Sequence, residues 1–144
     1  MQIMSTTCFF GFTDGASRHT QNLASSAWAL YTPTYSLLLQ ARVCIGPATN
    51  NQAEYAAVIG LLADDVRMGI RNLQVHIDSQ LIVAQLNGFY TVCNVVLRRR
   101  YLWVHLLCQN FDTITICWLT WANPRLDFDS YHQTLDTRPF GSAL

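Results

Sequence analysis

The order of strand-like and helix-like hydrophobic patterns constrains the fold of this chain most strongly. Three strand-like segments come first and a helical repeat follows, and then come a strand, two helices, a strand and a helix. This order, β-β-β-α-β-α-α-β-α, predicts an α/β fold in which a five-stranded mixed sheet carries helices on its faces. With 144 residues, 51% of them hydrophobic, the chain has room for one core, so we expect a single domain over residues 1–144.

Turn residues set the ends of the first strands. We expect strands at about 6–13, 26–32 and 36–45, the first of them dense in aromatic residues and threonine. Asp14-Gly15 is predicted to end the first strand, and Thr32–Tyr35 to form the tight turn between the second and the third.

The first helix has the clearest repeat. Its apolar face is predicted to contain Tyr55, Val58, Ile59, Leu62 and Val66. Thr49, Asn50 or Asn51 can cap its start, and Gly69 is expected to end it.

The second half of the chain alternates between strands and helices. Leu73, Val75 and Ile77 alternate with polar residues as in a strand, Ser79 can cap a short helix that ends at Asn87-Gly88, and residues 113–119 form the fifth strand. A helix at about 95–110 is predicted to bury Val96, Trp103, Val104, Leu107 and Phe111. The last helix is expected to begin near Asp127.

The charge balance gives no general support for a nucleic-acid partner. Nine arginines oppose nine acidic residues, lysine is absent and the formal net charge is zero, whereas nucleic-acid binders usually carry a basic excess. Any basic footprint therefore has to be local. Arg98–Arg100 is the candidate, either as a contact to a nucleic-acid backbone or as a solvated helix face.

Compartment and membrane association follow from composition. No apolar run reaches the roughly 18 residues that cross a bilayer, so no membrane association is expected. Five cysteines without a C-x-x-C pair favour buried free thiols, and hence an intracellular location in the cytoplasm or nucleus.

Four acidic residues fall at predicted element ends. Asp14 and Asp78 follow the first and fourth strands, Glu54 lies in the first turn of the first helix, and Asp127 would begin the last helix. Each alone has a simpler explanation as a turn residue, a helix-dipole partner or a cap. Together they predict one cluster, because ligands of open α/β sheets bind at the carboxyl ends of the strands.

Clustered carboxylates repel one another, so some take up protons unless a cation compensates. Magnesium suits such a site because it prefers oxygen ligands and keeps water and phosphate in its other positions. Two ions about 4 Å apart can activate a water for in-line attack on phosphorus without a nucleophilic side chain.

Four segments resemble the motifs of type 1 ribonuclease H, in the family's order and at its spacings. They are Phe12–Ser17, Thr49–Glu54, Asp78–Gln80 and Asn123–Asp127. The resemblance covers about residues 8–135. Between about Asn50 and Phe111 the chain is most similar to the ribonuclease H domains of plant gypsy-type retrotransposons, in particular at Asp78–Val83 and Asn87–Tyr90.

The resemblance implies a ribonuclease H-like fold and an endonuclease that cuts the RNA strand of RNA–DNA hybrids. Its catalytic and metal-binding acids would be Asp14, Glu54, Asp78 and Asp127, holding two Mg²⁺ ions that Mn²⁺ can replace. The substrate-binding residues it implies are Gly15, Thr49, Asn50, Asn51, Ser79 and Gln80. Contacts to the 2′-hydroxyl would distinguish RNA from DNA. The protein would act as a monomer, free-standing or within a larger polyprotein.

The C-terminal motif departs from the family pattern. No histidine precedes the fourth acid between Trp118 and Asp127, and the last helix is more polar than usual, which makes Asp129 a rival for Asp127. The altered last helix and the neutral charge favour the alternative function, a catalytically silent module that binds nucleic acid or tethers partners, whereas the four acids count against it.

Overall fold

The computed structural model describes residues 7–18 and 23–119. The elements, in chain order, are β1 (Phe9–Arg18), β2 (Leu23–Tyr31), β3 (Leu37–Gly46), α1 (Asn50–Arg67), β4 (Asn72–Ile77), α2 (Gln80–Leu86), α3 (Val95–Cys108) and β5 (Thr113–Trp118). The predicted order is confirmed as far as β5. The predicted last helix lies outside the described residues.

The five strands form one mixed sheet in the order β3-β2-β1-β4-β5. β1, β2 and β3 are antiparallel neighbours, whereas β4 pairs in parallel with both β1 and β5. Parallel neighbours need long crossover connections, which α1 supplies before β4, and α2 with α3 before β5.

The main core lies between the sheet and the three described helices. Tyr55, Val58 and Leu62 of α1 are fully buried, as predicted, against Val75 and Ile77 of β4. Ile59 and Val66 are only partly buried at the edge of this core. A second cluster on the other face of the sheet contains Phe12, Ala27, Ala29, Tyr31 and Leu119.

Capping residues fix the ends of α1. Thr49 is the N-cap, and its hydroxyl accepts a hydrogen bond from the Gln52 amide while the Gln52 side chain accepts one from the Thr49 amide. Of the three predicted capping candidates, Asn50 and Asn51 are therefore wrong. Gly69 follows the helix with φ +75°, as its predicted role as a terminator requires.

The predicted end of the first strand is wrong. β1 continues through Asp14-Gly15 to Arg18, because β2 pairs with it along its whole length and sets Asp14 opposite Ala27. Asp14 is therefore not the terminal residue of its strand. It lies one residue beyond Thr13, where the parallel ladder with β4 ends.

The predicted buried face of α3 is also partly wrong. Leu97 and Val104 are its buried residues, whereas Val96 and Trp103 are exposed. The error has a physical cause, since α3 carries apolar residues on opposite faces and periodicity alone does not say which face meets the core.

All five cysteines are free, but none is fully buried. Cys44 and Cys93 are exposed, and the other three are partly buried, so the prediction of buried thiols is wrong. The apolar neighbours of Cys44 in the sequence suggested that its thiol is buried. The thiol is exposed because Cys44 lies on β3, an edge strand of the sheet. No helix within the described ranges is long and apolar enough to cross a membrane.

Candidate active site

Asp14 and Asp78 come from neighbouring parallel strands. The β1–β4 ladder ends at the pair Thr13 and Ile77, and each acid is the next residue of its chain. Corresponding positions of adjacent strands lie about 4.8 Å apart, so this register brings the two acids to the same level of the sheet. Asp14 is half-buried and Asp78 is exposed.

Glu54 reaches the same place from the start of α1. Gly15 packs so closely against this helix that a Cβ atom there would collide with the backbone of Ala53 and Glu54. From β2, the Ser26 hydroxyl donates a 2.7 Å hydrogen bond to the Ala53 carbonyl. Both contacts hold the first turns of α1 against the strands.

The charges of Asp14 and Asp78 both act on Glu54. Burial, followed by the negative charge of Asp14, raises the pKa of Glu54 from 4.5 to about 8. Asp78 raises the pKa further, while a hydrogen bond from the Gly15 amide lowers it. Charges perturb a carboxyl in this way only at short range. Glu54 thus lies within range of two acids that are 40 positions before it and 24 positions after it in the chain, and that the three form one metal site stays a prediction.

The Glu54 carboxylate is incompletely satisfied. Its Oε2 atom is buried and has no hydrogen-bond partner among the described residues. A buried carboxylate oxygen without a donor is costly, and either a proton or a cation would relieve that cost. This atom is the feature that fits a divalent metal ion.

The described acids do not form a closed coordination shell. Within the described ranges, no three His, Cys, Asp or Glu side chains gather closely enough to hold one metal ion among themselves. Magnesium does not need such a cage, since it is commonly held by one or two carboxylates together with water and phosphate. Asp127 and its rival Asp129 lie outside the described residues.

The predicted substrate-binding residues lie on β1 and at the starts of α1 and α2. Gly15 is buried beneath α1, and Thr49, Asn50 and Asn51 lie at or beside its N-cap. Ser79 caps α2 through a 3.2 Å hydrogen bond from the Ile82 amide. Gln80 is the first residue of α2 and is exposed.

Asn50 makes a contact that the sequence did not predict. Its Oδ1 atom accepts a 2.6 Å hydrogen bond from the Ser17 amide of β1. Together with Ser26, Ser17 ties the helix start to the hairpin of β1 and β2. No signal in the sequence identifies these two serines, because their role depends on strand register.

The chain resembles known proteins over most of its length. A family described as reverse transcriptase-like matches residues 12–123. Ribonuclease HI of Halobacterium salinarum is 34% identical over 105 residues, which are 73% of this chain and 53% of that protein. The chain thus spans about half the length of this curated relative.

Two solved structures support the architecture. RNase H1 from the halophilic archaeon Halobacterium salinarum NRC-1 superposes with a TM-score of 0.77 at 30% identity, covering 90% of this chain and 92% of that one. LC11-RNase H1, solved in complex with an RNA/DNA hybrid, gives a TM-score of 0.73 at 25% identity, covering 83% and 91%. The fold predicted from the sequence is confirmed.

Proposed function

The chain belongs to the ribonuclease H family, and from this membership we propose that it is an endonuclease that hydrolyses the RNA strand of RNA–DNA hybrids. The observation that supports this most is that the charges of Asp14 and Asp78 both add to the effect of burial in raising the pKa of Glu54. The relative LC11-RNase H1, which binds an RNA/DNA hybrid, supports the class of substrate.

In this proposal the site holds two Mg²⁺ ions, which Mn²⁺ can replace. Asp14, Glu54 and Asp78 supply carboxylates from three different elements, and Asp127 is the proposed fourth ligand. When bound, the ions supply activation of a water and stabilisation of the leaving oxygen. Asp14 and Asp78 each follow the last residue pair of the β1–β4 ladder, and the close packing of Gly15 against the backbone of Ala53 and Glu54 supports a position of Glu54 near them.

The proposed substrate contacts come from the first turns of α1 and α2. Asn50 already accepts a hydrogen bond through Oδ1, so its amide nitrogen is the group left to donate to the hybrid. Asn51 and Gln80 would act with it on the minor groove and 2′-hydroxyls, whereas Thr49 and Ser79 would present the helix starts to phosphates. Gly15 is the remaining proposed contact, through its backbone only, because the side on which it lacks a Cβ is filled by the backbone of α1.

The origin and context of the chain are part of the same proposal. The segments Asp78–Val83 and Asn87–Tyr90 favour a relationship with the ribonuclease H domains of plant gypsy-type retrotransposons. A monomer, free-standing or within a polyprotein, is consistent with this relationship. Five unpaired cysteines support a reducing compartment, the cytoplasm or the nucleus.

The test is cleavage of end-labelled RNA–DNA hybrid, single-stranded RNA and duplex DNA, with and without Mg²⁺. We expect cleavage of the hybrid RNA only, and only with the metal. Asp14→Asn and Asp78→Asn should each lower the rate about a thousandfold or more, because each removes several kcal/mol of transition-state stabilisation.

A matched control variant shows whether cleavage depends on the acids of the site or on the removal of any acidic residue. Asp112 is an exposed acid that pairs with Arg71, away from Asp14 and Glu54. Asp112→Asn should retain near wild-type cleavage. If Asp14→Asn cuts the hybrid as fast as this control, the assignment of the site is wrong.

The second candidate function, a silent module that binds nucleic acid or tethers partners, is favoured by one observation. The described acids form no ready group of three metal ligands. Calorimetric titration with Mg²⁺ and Mn²⁺ distinguishes the two functions. If the protein is a silent module, Asp14→Asn should not change the binding of either metal ion. If it is a nuclease, the wild type should bind the metal ion and Asp14→Asn should lose that binding.

A further inference from the structure

Helix α3 carries a stripe of exposed apolar side chains on its outer face. Val95 is 69% exposed, Leu102 50% and Leu106 62%. Spacings of seven and four residues place all three on one side of the helix, opposite the buried Leu97 and Val104. A contiguous apolar stripe in water is a characteristic of interaction surfaces.

Arginines flank this stripe on both sides. At 100° per residue, Arg98 falls on one side of it, and Arg99 and Arg100 on the other. The helix contains no acidic residue. Arg67 and Arg71 form ion pairs, and no ion pair between described residues is seen for the arginines of α3.

A groove between α1 and α3 adjoins the stripe. It has a volume of about 430 Å³, and its lining residues are Ala56, Ile59, Arg99, Arg100 and Trp103. The Trp103 side chain is 56% exposed. The groove therefore offers apolar surface beside two guanidinium groups. It suits an apolar side chain that has carboxylates as neighbours.

We propose that the α3 stripe and this groove dock an amphipathic helix of another polypeptide that carries acidic residues beside its apolar face. Its apolar side chains would cover Leu102 and Leu106, one of them would enter the groove beside Trp103, and its carboxylates would pair with the arginines of α3. With 14 residues, α3 is about 21 Å long, so it would match an occupant of about four turns.

The chemistry of the surface favours this occupant over three others. Nucleic-acid phosphates would pair with the arginines but leave the aliphatic stripe in water. A flat anionic bilayer would cover the stripe but not fill a concave groove beside it. A second copy of α3 would bring its own cations against these, since the helix has no acid to offer.

The test uses a fluorescently labelled synthetic helix of about 18 residues with leucines on one face and glutamates beside them. Its twin has lysines in place of the glutamates. We expect the glutamate peptide to bind and the lysine peptide not to. Leu102→Gln and Leu106→Gln should each weaken binding about tenfold, and the pair Arg99→Gln with Arg100→Gln should also flatten the salt dependence.

Leu38→Gln is the matched control. Leu38 is an exposed leucine of β3, at the opposite edge of the sheet from β5, and its replacement should leave peptide binding unchanged. Thermal midpoints of all variants, which we expect to lie close to that of the wild type, check that the fold is intact.

Three outcomes would overturn the proposal. They are equal binding of the two peptides, insensitivity to Leu102→Gln and Leu106→Gln, and binding through these leucines of phosphatidylserine vesicles or of RNA–DNA hybrid instead of the peptide. Hybrid cleavage is measured in parallel, and Leu102→Gln should leave it unchanged. Loss of peptide binding and loss of nuclease activity are therefore separate results.

Discussion

Glu54 lies where burial and charge oppose ionisation most directly. Its folded pKa of about 8 compares with 4.5 for an unperturbed glutamate, so in metal-free protein it binds a proton throughout the neutral range. Its buried Oε2 has no hydrogen-bond donor among the described residues. A bound cation would displace that proton, which couples metal binding to pH at this residue.

This coupling predicts a pH-dependent stability of the metal-free protein. Below pH 4.5, Glu54 is protonated in both the folded and the unfolded state and costs nothing. Between pH 4.5 and about 8 the unfolded state releases the proton while the folded state keeps it, so the free energy of unfolding falls, by a few kcal/mol in all. Glu54→Gln should remove this loss, as denaturant titrations in EDTA from pH 4 to pH 9 would measure.

Magnesium provides the control for Glu54. In the wild type it should restore stability more at pH 8 than at pH 5, because the displaced proton costs less to release at high pH. Glu54→Gln should show a much smaller restoration. Equal stabilisation by Mg²⁺ at both pH values would contradict the proposed role of this carboxylate.

Asp65 is a buried acid with no evident role at the site. It is fully buried on α1, neither carboxylate oxygen has a hydrogen-bond partner among the described residues, and burial raises its pKa from 3.8 to about 7. Below pH 3.8, Asp65 is protonated in both the folded and the unfolded state. As the pH rises from 3.8 through about 7, the unfolded state loses the proton first, so the free energy of unfolding falls. Asp65→Leu should therefore raise the free energy of unfolding at pH 8 by about 1–2 kcal/mol, and less at pH 5.

The adjacent Asp64 is a natural counterpart for this measurement. It accepts a 2.7 Å hydrogen bond from the Trp28 indole and pairs with Arg67. Asp64→Leu should destabilise the fold where Asp65→Leu stabilises it. Calorimetric melting of the two variants at pH 5 and pH 8 would show the opposite signs, and a destabilised Asp65→Leu would refute the argument.

At the scale of elements, the sequence predicted what depends on local pattern and missed what depends on pairing. The types and order of the elements followed from periodicity, and the Thr49–Glu54 and Asp78–Gln80 motifs located two of the acids. The extension of β1 through Asp14 depends on its register with β2, which is a long-range property. Likewise, the choice between the two apolar faces of α3 depends on the position of α1.

The packing of β1 against α1 is the contact between elements that most directly fixes the site. A Cβ on Gly15 would meet backbone atoms of Ala53 and Glu54, which cannot rotate away. Gly15→Ala should therefore displace the start of α1, cost about 3 kcal/mol of stability and lower the rate of hybrid cleavage. Urea titration and the cleavage assay together test this.

Gly11 offers the comparison within the same strand. The nearest atoms that a Cβ there would meet belong to the side chain of Leu61, whose end can move. Gly11→Ala should cost about 1 kcal/mol and leave cleavage much closer to the wild-type rate. If the two alanine variants have the same effect on cleavage, the contact at Gly15 does not position Glu54.

At the scale of the whole molecule, the absence of net charge limits how strongly the protein can attract a polyanion. Nine arginines balance nine acids, and Arg67 and Arg71 are further compensated by their ion pairs. Under the proposed function, recognition of a hybrid would depend on the shape of the groove and on hydrogen bonds at the starts of α1 and α2, more than on long-range attraction. This is a property of the entire chain, and no single residue reveals it.

The salt dependence of hybrid binding measures this balance. Each neutralised phosphate contributes about −0.9 to the slope of log K against log salt, so a protein with six to ten such contacts loses about 10³–10⁵ in affinity between 50 and 200 mM. The largest uncompensated run here is Arg98–Arg100, and even full contact by it gives a slope of only about −3. We therefore expect fluorescence anisotropy of a labelled hybrid, titrated with Asp14→Asn protein at several salt concentrations, to give a slope no steeper than this. A slope near −6 would mean that the chain gathers far more positive charge on the hybrid than its composition suggests, and that attraction to the backbone dominates recognition.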